Sequence, residues 1–222
     1  MQDQYIDLSR ILEPGVGEPK GHPSTRIEEF QTHATHQRSN ALLSYSIHCG
    51  THVDTPYHFY EQGKKVDELA LDRFVGRGVF LDLKTKVRES EQVTLEQVIS
   101  SGPLPDLSSQ ELLNTVVIIN TGWGKNYGTE TYYQKNPYLS NEAARWFAEN
   151  RIKAVGLDFP PDKSQGAAVH QILLGAEVLI IENLTNLSLL QDKAFQVMFF
   201  PIKLFAQGGG PARVVARVLE NR

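Results

Sequence analysis

Three of the chain's seven histidines, His48, His52 and His58, fall within eleven residues, and Asp54 stands between the last two. Positions 48, 52 and 54 are all even. In an extended chain, where side chains alternate faces, these three groups project to one side. Gly50 shares that side and leaves room above the backbone. A helix would also bring His48 and His52 together, but Gly50, Thr51, Val53, Thr55 and Pro56 disfavour one here. Two imidazoles and a carboxylate suit Zn²⁺, Mn²⁺ or Fe²⁺, and three protein ligands leave a position open for water, the catalytic arrangement. His58 follows Pro56, which turns the chain. An imidazole beside such a centre but outside its inner shell reads as a general acid or base near neutral pH. The competing reading is a set of surface or hydrogen-bonded core histidines, which this density and parity disfavour.

His170 falls in a short helical pattern, and Glu182 ends the apolar run Val178–Ile181 twelve positions later. A carboxylate at the end of a buried strand is costly unless a metal or cation pairs it. By themselves these two fit either a site pair or a helix-surface histidine with an ordinary strand-end acid. Cys49 has odd parity and reads as a small packing residue. There is no G-x-S-x-G elbow, Walker loop or strand-bound G-x-G-x-x-G, so serine hydrolases and nucleotide enzymes lose their usual anchors. The loop from Trp123 carries Tyr127, Tyr132, Tyr133 and Tyr138, a density that suits an aromatic substrate, a lid, or equally a covered surface.

The elements that must position these groups are short. Tyr5–Leu12, Ala41–Ile47, Gly78–Leu83, Ala154–Leu157, Val178–Ile181, Val197–Leu204 and Ala212–Leu219 read as strands, and Thr115–Asn120 (TVVIIN) as a strand buried on both faces. Thr94 with Gln97 forms a capping-box pattern opening a helix to Ser100, Ser140 caps a helix to Asn150, and Val169–Leu174 reads as a short helix capped by Gly175. Residues 13–25, EPGVGEPKGHPST, form a Gly/Pro-dense loop of a length that is often functional. Gly208-Gly209-Gly210-Pro211 reads as a turn rather than a phosphate cradle. Strands outnumber helices, predicting an α/β fold with a mixed, curved or barrel-like β-sheet and flanking helices.

With 222 residues, 41% hydrophobic, and no repeat or long linker, the chain reads as one domain over residues 1–222. A formal net charge of −4 speaks against nucleic-acid or anionic-membrane partners. No targeting segment or membrane span is legible, and a single cysteine excludes an intrachain disulfide framework, so a cytoplasmic location is expected.

The run His48-x-Gly50-Thr51-His52-x-Asp54-x-Pro56-x-His58 resembles the signature of the cyclase-type metal-dependent hydrolases, which include bacterial kynurenine formamidases and isatin hydrolases. Asp7-Leu8-Ser9, Thr121-Gly122-Trp123, Gly156-x-Asp158 and Gly210-Pro211-x-Arg213 extend the resemblance through most of the chain. Carried over by position, the resemblance makes His48, His52 and Asp54 metal ligands and His58 the catalytic histidine. It also makes His170 and Glu182 site residues, which in formamidase-like members join Asp54 around a second metal; one or two Zn²⁺ or Mn²⁺ ions per subunit are thus implied. A swivelling β/β/α type of fold and a homo-oligomer, dimer or tetramer, with sites near subunit contacts are implied as well.

After Asp158 the chain reads Phe159-Pro160-Pro161, where formamidases of this kind read Thr-Pro-Ser; Phe159 and Trp123 are expected to contact the small-molecule substrate. The leading expectation is an arylformamidase-like amide hydrolase releasing formate and an amine from N-formyl-L-kynurenine. A hydrolase of cyclic amides or lactones such as isatin is the alternative within the family. A non-catalytic metal-binding protein is the alternative outside it.

Overall fold

The computed structural model describes residues 4–163 and 166–219. Its strands, numbered in chain order, are β1 (Tyr5–Asp7), β2 (Arg26–Gln31), β3 (Asn40–Ser44), β4 (His52–Asp54), β5 (Val75–Asp82), β6 (Gln92–Val93), β7 (Thr115–Asn120), β8 (Tyr138–Leu139), β9 (Ala154–Leu157), β10 (Leu179–Glu182), β11 (Phe195–Met198), β12 (Gly209–Pro211) and β13 (Val215–Val218). The helices are α1 (His33–His36), α2 (Leu95–Ser100), α3 (Ser109–Leu112), α4 (Asn141–Glu149) and α5 (Ala168–Gly175). Nine strands make one curled sheet in the order β1-β13-β11-β5-β7-β9-β10-β4-β12, a mixed α/β half-barrel.

Its four central strands, β5, β7, β9 and β10, run parallel. Parallel neighbours need crossovers, and α2 to α5 supply them. Every residue of β7 is buried, as an apolar strand covered on both faces requires. Val117 and Ile119 pack with Val98, Phe147 and Leu173 under the helices, whereas Val116 and Ile118 pack with Val53, Ile181 and Val197 on the other face. The antiparallel β4 extends the sheet beyond β10 and sets two candidate site residues, His52 and Asp54, beside Glu182 of β10.

Helix ends follow their local chemistry. Thr94 and Gln97 make the reciprocal capping box, and the Ser140 side chain accepts the Ala143 N–H. At α5 the expected glycine cap is displaced by one residue: Gly175 is the last helical residue and Ala176 follows as the cap. A Cβ on Gly175 would lie 2.8 Å from the Tyr60 hydroxyl oxygen, so the Tyr60 side chain, which donates to the Gln171 carbonyl, packs close against the bare glycine.

Several expected strands are shorter than their sequence patterns. β1 stops at Asp7, and β11 stops at Met198, ahead of Pro201. The Ala41–Ile47 run ends at Ser44 and pairs with β2, a strand the sequence reading left inside no element, to form an exposed hairpin. The glycine run Gly208–Pro211 is corrected from a turn to a strand, because β12 pairs antiparallel with β4. Glycine suits that edge for a steric reason: a Cβ on Gly209 would sit 2.3 Å from the Val53 carbonyl oxygen.

Candidate metal centre

The register between β4 and β10 builds the centre. Glu182 stands directly opposite His52 and Ile180 opposite Asp54, so His52, Asp54 and Glu182 share one face of neighbouring strands. His48 reaches the same place by another route. The expected extended run from 48 to 54 is interrupted: only His52–Asp54 is strand, and His48 lies in a turn in which Cys49 N–H bonds the Ser46 carbonyl and Gly50 adopts φ +64. From that turn His48 Nδ1 stands 2.7 Å from Asp54 Oδ1. His58 ends the short 3-10 turn begun by Pro56 and stacks on His48 with ring centroids 3.8 Å apart.

α5 brings His170 from the other side. Its Nε2 lies 3.1 Å from Glu182 Oε1 and 3.5 Å from Asp54 Oδ2. Its Nδ1 lies 2.6 Å from Asp162 Oδ2, while Asp162 also accepts the backbone N–H groups of Val169 and His170. One carboxylate therefore orients the ring and caps the helix that carries it. At His52, Nδ1 faces the Gly50 carbonyl at 2.9 Å. A carbonyl only accepts, so Nδ1 is the donor of that pair, and Nε2, 3.5 Å from Asp54 Oδ1, is the ring nitrogen turned to the centre.

His48, Asp54 and His58 offer one group of donor atoms close enough to surround a single ion, and His52, Asp54 and Glu182 offer another, sharing Asp54. The chemistry of this set fits a divalent metal. Asp54 is fully buried, yet its Oδ2 accepts no hydrogen bond among the described residues. The 3.5 Å approach of His170 to that oxygen is an ion-pair distance, too long for a good hydrogen bond. Beyond that ion pair the oxygen faces the remaining donors of the cluster, where a divalent ion would meet it directly.

Charges in the metal-free cluster follow from the same contacts. Burial works against the ionised form of Asp54, but His52 and His48 beside it hold its carboxyl well below the usual range. Burial likewise disfavours charge on His170, and the carboxylates of Asp162, Asp54 and Glu182 overcome it, raising the ring well above an ordinary histidine. His58 behaves oppositely. Although its side chain opens to the cavity, desolvation there, aided by the imidazoles of His48, His170 and His52 and opposed by Asp54, lowers it to about 4. It is a neutral base at neutral pH.

All six residues, His48, His52, Asp54, His58, His170 and Glu182, line one cavity of about 1220 Å³. Gly17, Glu18, Lys20 and His22 of the Gly/Pro-rich loop form its rim, and the Tyr133 hydroxyl pins that loop by donating to the Gly17 carbonyl at 2.9 Å. Trp123 and Phe159 are not among its lining residues. Trp123 is buried, donates its indole N–H to the Tyr132 carbonyl and faces a separate cavity, and Phe159 is fully buried in the core under the helices. The exchange after Asp158 reaches the cavity through Pro161 instead, beside the shared Pro160, and of the tyrosines in the Trp123 loop Tyr133 lines it.

Sequence reasoning missed Asp162 and Asn183. Asp162 precedes a helix, the one sequence signal available for it, but the intervening loop separates it from the cap position. Asn183 follows Glu182 and carries no motif of its own.

The flanking motifs meet in pairs. Asp158 accepts hydrogen bonds from the Thr121 N–H and hydroxyl and from the Gly124 N–H, joining Thr121-Gly122-Trp123 to Gly156-x-Asp158. Arg213 donates twice to Asp7, and Ser9 and Val214 exchange hydrogen bonds, joining the opening motif to the closing one.

Comparison with known proteins agrees with this geometry. The sequence model of the Cyclase family matches residues 6–161. A kynurenine formamidase of Bacillus cytotoxicus is 26% identical over 227 residues, covering 97% of this chain and 98% of that protein. A kynurenine formamidase of Bacillus anthracis is 29% identical over 222 residues, covering 96% and 97%. Among solved structures, isatin hydrolase A from Ralstonia solanacearum superimposes with a TM-score of 0.84 at 22% identity, covering 98% of this chain and 92% of that one.

Proposed function

The chain belongs to the Cyclase family, and from that premise we propose that it is a metal-dependent hydrolase of C–N bonds outside peptides, arylformamidase-like, with N-formyl-L-kynurenine as reference substrate. The observation that carries the reading is Asp54 Oδ2, buried and without a hydrogen bond among the described residues, at the meeting point of two groups of imidazole and carboxylate donors. The full-length relatives named kynurenine formamidase support the substrate class.

We assign His48, His52, Asp54, His170 and Glu182 to holding one or two Zn²⁺ or Mn²⁺ ions. A divalent ion in such a site lowers the pKa of its water and polarises the substrate carbonyl. His58, neutral and open to the cavity, accepts a proton on its ring and passes it to the departing nitrogen, so that formate and the free amine leave. Its stacking on His48 fixes the ring plane from which that transfer occurs. Phe59 packs 5.0 Å from the His170 ring, nearly parallel to it, and presents an apolar wall to that side of the centre.

Pro161 at the cavity favours a second reading, hydrolysis of a cyclic amide or lactone, since it puts bulk and no hydroxyl donor where formamidases of this kind have serine. The test is kcat/KM for N-formyl-L-kynurenine beside isatin and simple lactones, after reconstitution with zinc or manganese. Preferential turnover of the formyl substrate is expected. Much faster turnover of a cyclic substrate transfers the assignment to the second reading, and no metal-dependent rate on any of them removes the enzyme reading.

The exposed hairpin of β2 and β3 presents Ile27, Phe30, Leu42 and Leu43 to solvent. We assign that apolar surface to a second copy of the chain in a homo-oligomer. Among the described residues no helix is long and apolar enough to cross a membrane. With the single cysteine, a reducing cytoplasm is the compartment we assign.

A further inference from the structure

Asn183 is fully buried immediately after Glu182, with φ +60. Asparagine tolerates that left-handed conformation better than most residues with a Cβ. The bend ends β10 and turns the side chain back toward β4. There Asn183 Nδ2 donates to the Gly50 carbonyl at 2.7 Å, and Oδ1 accepts from the Tyr132 hydroxyl at 2.8 Å. The Asn183 backbone carbonyl accepts the Thr51 hydroxyl at 3.0 Å. These contacts fix the amide's orientation, because the Gly50 carbonyl only accepts and therefore faces nitrogen.

The Gly50 carbonyl is the same group that receives His52 Nδ1. It has two lone pairs, and Asn183 and His52 take them together. We propose that Asn183 is a positioning residue for the metal centre: by clamping the Gly50 turn to the end of β10 it holds His52 in the tautomer that presents Nε2 to the ion, at a set distance from Glu182. Without the amide, the Gly50 turn is held to the end of β10 by the Thr51 hydroxyl alone among these side-chain contacts, the Gly50 carbonyl itself is no longer gripped from that side, and His52 Nδ1 faces a less firmly fixed acceptor. The inference rests on the metal reading above, and the two are separable because the tautomer is measured without metal.

The test uses Asn183→Gly, which keeps the left-handed backbone accessible while deleting the amide. Zinc affinity by competition with a chelator is expected to fall by about tenfold to a hundredfold, the usual cost of losing a group that orients a ligand. In the metal-free protein, ¹⁵N spectra of the His52 ring are expected to change from one Nδ1-protonated tautomer to a mixture. A folded variant whose affinity changes less than about tenfold, or whose His52 tautomer is unaltered, overturns the proposal. Tyr132→Phe decides the matter if the glycine variant does not fold. It removes only the hydroxyl that holds Asn183 Oδ1, so weaker zinc binding with a mixed tautomer supports the proposal and parental values of both overturn it. Failure of the parent protein to bind zinc or manganese sinks the metal reading instead, leaving the tautomer result to judge Asn183.

Discussion

Asp162 Oδ2 lies 2.6 Å from His170 Nδ1 and 3.2 Å from the backbone nitrogen of the same residue, so one oxygen fixes both a ring and the start of its helix. Charge on that oxygen strengthens the hydrogen bond and the basicity of Nε2 on the far side of the ring. Asp162→Asn retains an acceptor and loses the charge. Affinity for zinc or manganese should fall by about tenfold to a hundredfold while far-UV circular dichroism is unchanged. Chelator competition measures it, and a parental affinity removes Asp162 from the metal centre.

His58 is assigned to proton transfer, so its removal should separate rate from metal content. His58→Ala should keep its bound metal and lose about a hundredfold to ten-thousandfold in kcat. Elemental analysis beside steady-state kinetics gives the answer. Loss of metal makes His58 a ligand with His48 and Asp54, with which it shares a possible ion position.

Gly208 lies against the backbone that carries His58. A Cβ there would come within 2.6 Å of both the nitrogen and Cα of His58, and backbone atoms must shift to admit it. Gly208→Ala should cost about 1–3 kcal/mol in urea unfolding, the usual range for overpacking. A displacement of the proton-carrying ring by about 1 Å is enough to lower kcat about a hundredfold. Unchanged kcat in a destabilised variant would show that the strain relaxes away from His58.

Arg213 holds the Asp7 carboxyl below its ordinary value chiefly by hydrogen bonding, against the opposing effect of burial and with help from the Ser9 N–H and the Arg213 charge. A lowered carboxylate stabilises the fold above its unfolded pKa, about 3.9, and that contribution is lost as pH falls through the lowered folded value. The pair is largely exposed, so the effect is small. Arg213→Ala should lower the urea midpoint slightly at pH 7 and match the parent once the pH is well below the lowered folded value. A difference that persists in acid means that Arg213 contributes through packing rather than charge.

What the sequence made legible was local. The capping box at Thr94 and the Ser140 cap each depend on atoms three residues apart, and the apolar run of β7 depends on its own composition. The histidine cluster was legible because its members are close in the chain, and residue type alone names the chemistry such donors can do. Its extended geometry held for His52 and Asp54 but not for His48, since Gly50 turns the backbone between them. Phe159 has the composition of a pocket wall, yet its fully buried place belongs to the core under the helices.

Tertiary structure decided the partners. Asn183 meets Gly50 across 133 residues, and Glu182 faces His52 only because β10 and β4 pair in one register. A shift of one residue would send Glu182 to the opposite face, and nothing local in either strand specifies that alignment. The glycines of β12 read as a turn in isolation. Their conformational freedom is compatible with many structures, and pairing with β4, which brings Val53 and Asp54 close against Gly209, selects a strand. Donor types were thus set by the sequence itself, whereas the buried Asp54 oxygen and the carboxylate behind His170 arise from contacts between segments that only the folded chain brings together.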